Sequence, residues 1–132
     1  MSPPFRKRSH LQEAYLQYAK LQSANLLEAK LQEADLRDAN LQEAWLLKAK
    51  LQKADLYYAN FQGANLQFAK LQGTNLFEAD LQGANLSEAN LQWAILDDTN
   101  FDGAILDEEN RQWLIEKGII KAEDFPPQPD NE

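Results

Sequence analysis

The stretch LQEADLRDANLQEAWLLKAKLQKADLYYAN, residues 31–60, places a leucine at every fifth position. An α-helix cannot use that period. Five residues carry it roughly 140° past a full turn, so Leu31, Leu36, Leu41 and Leu46 would spiral around its axis. A flat strand cannot use it either. Five is odd, so successive leucines would alternate between the two faces.

The pattern extends well beyond this window. Taking the leucine as the centre of each unit, centres fall from Leu11 to Leu106: 20 positions, of which 18 are Leu and two are Phe61 and Phe101. Two residues before the centre stands Ala in 17 units; Ser9, Thr74 and Thr99 are the small exceptions. In extended backbone, residues two apart point the same way, so Ala and Leu share one side. The next inward residue then arrives three positions later rather than two. One extra residue per unit means one corner per unit, always turning the same way. The chain therefore winds into a coil with Leu and Ala inside, and stacked coils pair their backbone groups at about 4.8 Å. A period of five does not say how many sides a coil has.

The units ADLRD, ANLQE, ADLYY, ANFQG and ANLSE resemble the pentapeptide-repeat family, A-(D/N)-L-x-x, in an unbroken run over residues 9–108. The resemblance implies an all-β solenoid, a right-handed quadrilateral β-helix of five coils and about 24 Å height at the usual rung spacing. The position before the centre departs from Asp/Asn at Lys20, Lys30, Lys50 and Lys70 and at Tyr15, Trp45, Ile95 and Ile105. It points outward, so the fold is expected to tolerate them.

The chain divides into residues 1–8 as an N-terminal tail or weak cap, 9–106 as the β-helix, 107–120 as a capping helix and 121–132 as a flexible tail. The helix is expected in DEENRQWLIEKGII, with Asp107 as N-cap, Glu108 and Glu109 in the first turn, and Lys117–Gly118 as the stop. Trp113 and Leu114 are its expected contacts with the last coil, which would otherwise be an open sheet edge.

Composition narrows the function. The 132 residues suit one domain. With 21 acidic and 13 basic residues the net charge is −8, which argues against direct nucleic-acid binding. Cysteine is absent, excluding disulfides and thiol chemistry. No stretch approaches the roughly 20 apolar residues of a membrane span, and no apolar run follows the basic N-terminus, so a cytoplasmic location is expected. His10 is the sole histidine, and Ser9, Ser23 and Ser87 have no partner base. A filled solenoid provides no desolvated cleft for carboxylate pairs such as Asp97 and Asp98. No catalytic residue, cofactor site or metal site is expected.

Function must then lie on the outer walls. With four units per coil, residues 20 apart stack. Gln12, Gln32, Gln52, Gln72 and Gln92 form one column, and Gln22, Gln42, Gln62 and Gln82 another, which suggests amide ladders. Outward-facing Leu27, Trp45, Leu47 and Phe68 fall on consecutive coils of one wall and mark a candidate contact patch. A second candidate wall carries Asp35, Asp55, Tyr57, Tyr58 and Phe77, with six acids against Arg37. The expected role is a non-enzymatic structural or interaction module with a protein partner or self-association. The alternative, implied by the resemblance, is an acidic DNA mimic that binds a DNA-handling enzyme such as a topoisomerase.

Overall fold

A computed structural model describes residues 9–127. Sixteen parallel bridges link each unit to the one 20 residues on, from His10–Lys30 to Asn85–Ile105. Four units therefore make one turn, and the 20 units make five coils. The expectations for residues 1–8 and for residues 128–132 lie outside the described residues.

The bonding repeats unit by unit. Leu31 N–H donates to the Lys50 carbonyl at 2.7 Å and Glu33 N–H to the Gln52 carbonyl at 3.0 Å, both one coil on. Lys50 N–H donates back to the Ala29 carbonyl at 2.9 Å, and Ala34 N–H closes the corner on the Leu31 carbonyl at 3.1 Å. Four of the five N–H groups in a unit are thus paired within the backbone. The fifth, immediately after the centre, is left over. Each corner is closed by a residue with φ near +60°, for example Lys53 and Glu33. Glycine at Gly63, Gly73, Gly83 and Gly103 relieves that conformation, but fifteen non-glycine residues adopt it as well.

Inside, the Leu and Ala columns form one continuous core; Leu31 to Leu86 are buried at every centre, with Phe61 among them. Thr74 is admitted because its hydroxyl donates to the Leu71 carbonyl at 2.8 Å. After Leu106 the period ends and α1, Glu108–Glu116, begins. The Asp107 side chain caps it by accepting from Asn110 N–H, and Gly118 turns the chain away at φ +74°. Leu114 enters the core cluster and Trp113 packs against it. A 3-10 turn, Ala122–Asp124, follows, and Arg111 Nε donates to the Phe125 carbonyl.

Candidate functional site

The leftover N–H after each centre explains why Asn and Asp dominate the position before it. All eleven Asn or Asp residues there accept that N–H through Oδ1, at 2.9–3.2 Å: Asn40 from Gln42, Asn60 from Gln62 and Asn65 from Gln67 are typical. The position is therefore outward but not free. Where Lys30, Lys50, Lys70, Trp45 or Ile95 stands, no acceptor among the described residues reaches the N–H two residues on.

The Gln columns do not form continuous ladders. Gln42 Nε2 approaches Gln62 Oε1 only to 3.5 Å, while Gln62 Nε2 turns to Asp80 Oδ2 at 2.6 Å; on the acidic wall, outside the columns, Gln17 Nε2 likewise donates to Asp35 Oδ2 at 2.7 Å. A carboxylate on the next coil is a stronger acceptor than a neighbouring amide. On the lysine wall the buried Oε1 atoms of Gln32, Gln52 and Gln72 have no partner among the described residues.

The first candidate patch occupies three consecutive coils of one wall. Leu27, Trp45 and Phe68 are 42%, 48% and 42% exposed, and Leu47 is half-buried. Backbone pairing sets their register: Leu26 N–H donates to the Trp45 carbonyl at 2.8 Å and Glu28 N–H to the Leu47 carbonyl at 2.9 Å. Trp45 is bridged between Asn25 and Asn65, each of which ties down its own corner. Trp45 instead leaves Leu47 N–H without an acceptor among the described residues, so an exposed indole stands where a corner bond would otherwise form.

The second candidate wall is tightly organised. Tyr57 and Phe77 stack with centroids 5.6 Å apart and planes 5° apart, and Tyr58 meets Tyr57 edge-on at 4.3 Å. Arg37 grips Asp35 through Nε at 2.8 Å and Nη2 at 2.6 Å, and its Nε lies 3.8 Å from Asp55 Oδ2. This bidentate bond holds the Asp35 carboxyl below its ordinary range and raises the Arg37 guanidinium. The hydrogen bond to Glu78, followed by that to Tyr57, raises the Tyr58 phenol above its ordinary range. Asn75 Nδ2 also donates to Asp55 at 3.3 Å. Much of the wall's negative charge is thus committed to internal bonds.

Three features are not singled out by the repeat pattern. Trp93 occupies a corner and is 79% exposed. Its signal is an indole in a column otherwise filled by Glu13, Glu33, Lys53 and Gly73. Arg111 is buried beneath the cap, where Nη1 donates to Glu108 Oε1 at 3.1 Å. Lys117 Nζ lies 4.9 Å from the Trp113 ring centre. Among the described residues, no helix is long and apolar enough to cross a membrane, and no cluster of three His, Cys, Asp or Glu is placed to hold a metal ion.

The family model described as pentapeptide repeats matches over residues 9–46, 34–73, 46–83 and 84–108, as eight copies. A pentapeptide-repeat protein from the Arabidopsis thaliana thylakoid lumen superposes with a TM-score of 0.79 at 23% identity, over 86% of this chain and 82% of that one. The likeness shows the fold: a right-handed quadrilateral β-helix. Rfr23, a pentapeptide-repeat protein from the cyanobacterium Cyanothece 51142, is 37% identical with a TM-score of 0.52, over 80% of this chain and 65% of that one. No curated protein matches the sequence.

Proposed function

The chain belongs to the pentapeptide-repeat family, and from that premise we propose that it acts as a non-enzymatic protein-interaction module. The contact surface is the wall bearing Leu27, Trp45, Leu47 and Phe68. One observation carries the reading: Trp45 is about half exposed at a position where eleven other units place an Asn or Asp that bonds the corner. A large apolar side chain that forgoes a backbone bond in order to face solvent is better explained by a partner than by the fold. The partner is another protein or a second copy of this chain. A cytoplasmic location belongs to the same proposal and rests on the sequence alone.

Affinity capture from the native host, with light scattering in parallel, tests this. Trp45→Ser and Leu47→Ser should remove the captured partner or shift the oligomeric state. Unchanged partners and unchanged size would take the patch out of consideration.

A second reading draws on the acidic wall with Asp35, Asp38, Asp55, Glu78, Asp97 and Asp98, which could mimic duplex DNA toward a topoisomerase. It has less support, because Arg37 binds Asp35 and approaches Asp55, and because Lys30, Lys50 and Lys70 face outward on another wall. A gyrase supercoiling assay decides it: no inhibition at micromolar protein rejects that target.

A further inference from the structure

The backbone rule of the coils also describes what the last coil lacks. In each unit the centre and the residue two beyond it donate to the next coil, and the carbonyl two before the centre accepts from it. The fifth coil has no sixth, and its sides end differently. On the Leu91 side, Asn110 Nδ2 donates to the Ala89 carbonyl at 2.7 Å, so α1 replaces the missing donor. Where the chain enters α1, Asp107 Oδ1 takes the Glu88 N–H at 2.7 Å. Beyond Phe101, residues 124–126 lie beside Gly103–Leu106. The N–H groups of Leu91, Trp93, Phe101 and Gly103 stay unpaired among the described residues, and on the remaining side nothing is replaced at all: the N–H groups of Leu96 and Asp98 and the Ala94 carbonyl have no partner among the described residues.

A groove of about 750 Å³ runs along this edge, with Gln92–Asp97 on one bank and Trp113, Lys117 and Ile119 on the other. Trp93 is 79% and Ile95 50% exposed there. Ile95 also stands where an Asn would have bonded Asp97 N–H, leaving one more free donor. An open edge beside a trough of mixed apolar and charged side chains has the two elements of strand addition: main-chain bonds for affinity and side-chain contacts for selectivity.

We propose that an extended peptide segment of another protein, with basic residues alternating with apolar ones, docks here as a sixth rung on Ala94–Asp98. Its carbonyls accept from Leu96 and Asp98, and its N–H donates to Ala94. Its apolar side chains lie on Trp93, Ile95 and Ile119, while its basic ones meet Asp97 and Asp98. Charge selects this partner: the wall carries six acids and one arginine, and Lys117 is drawn onto the Trp113 ring. A second copy fits poorly, because edge-to-edge pairing would bring both sets of Asp97 and Asp98 together. The proposal rests on the reading of the chain as an interaction module but uses a different surface from the Trp45 patch.

The test is amide-resolved NMR on the full chain, titrated with the synthetic peptide acetyl-Lys-Val-Lys-Tyr-Lys-Val-Lys-amide. Two controls are a copy with Glu in place of Lys and a copy N-methylated at alternate amides. Binding should slow hydrogen exchange at Leu96 and Asp98 by about tenfold or more. N-methylation should weaken binding by about fivefold or more, as expected for lost main-chain bonds. Asp97→Asn with Asp98→Asn, and separately Trp93→Ser, should also weaken it; all three residues are exposed, so the fold survives. Trp45→Ser should leave it unchanged, which separates this site from the patch above. The proposal is overturned if the basic peptide fails to bind at about 1 mM, a level at which affinity is already marginal. It is equally overturned if the N-methylated copy binds as well, if the shifts fall on the Leu27–Phe68 wall, or if sedimentation shows a dimer that Trp93→Ser abolishes.

Discussion

Replacing Lys50 by Asn should stabilise the protein, and the structure lets the gain be divided. Lys50 is bridged between Lys30 and Lys70 in one column, and no acceptor among the described residues reaches the N–H of Gln52. An Asn at this position would place Oδ1 on that N–H, as Asn60 does for Gln62 at 3.0 Å. A net hydrogen bond of this kind contributes about 0.5–1.5 kcal/mol. Removing the central ammonium relieves two like-charge neighbours at about 0.2–1 kcal/mol each, toward the low end because the side chains reach solvent. The expected gain is about 1–2 kcal/mol, which is large against the roughly 5–15 kcal/mol of a whole domain. Urea unfolding by circular dichroism, at low salt and again near 1 M salt, separates the terms. Salt screens the charge relief and leaves the corner bond. Lys50→Gln supplies the charge change alone, since its longer side chain does not reproduce the corner geometry. If Lys50→Asn is no more stable than wild type, or if Lys50→Gln matches it at low salt, the corner bond contributes nothing and the reasoning fails.

Two further outcomes are expected. Leu56 is fully buried at a centre of the third coil, so Leu56→Ala should cost about 3–5 kcal/mol through lost burial and a residual cavity; a loss under about 1 kcal/mol in the same assay would contradict a close-packed core. The Asp35 carboxyl is lowered by Arg37 from its ordinary value of 3.8, so its contribution to stability is present above that pH and fades as the pH falls through the depressed value. Carboxyl-detected NMR titration should find the Asp35 midpoint below 3.8 in wild type and closer to it in Arg37→Ala, and a wild-type midpoint at or above 3.8 would refute the bidentate pair.

Much of the architecture is legible in the amino-acid pattern, because a period of five with a small residue and Leu two apart admits one kind of backbone. Inward side chains and corners are local consequences of that spacing, and Asp107 as the cap of α1 is legible from the local N-cap signal where the period ends. The candidate patches follow once the sides are counted. Leu27, Trp45, Leu47 and Phe68 do share a wall, as do Asp35, Asp55, Tyr57, Tyr58 and Phe77.

What the pattern could not supply are the choices made between coils. The period of five leaves the number of sides open; the family resemblance implies four, and pairing of residue 10 with residue 30 shows it, a contact with no local signature. The Gln columns read as ladders in sequence, yet Gln62 bonds the Asp80 carboxylate on the next coil, because competition among acceptors is settled by distance in three dimensions. The role of Asn and Asp at the corner became visible only when the backbone ladder showed which N–H it leaves over. The same holds for the open edge at Ala94–Asp98: an unpaired group is defined by a missing neighbour, and only a folded chain shows which neighbours are present.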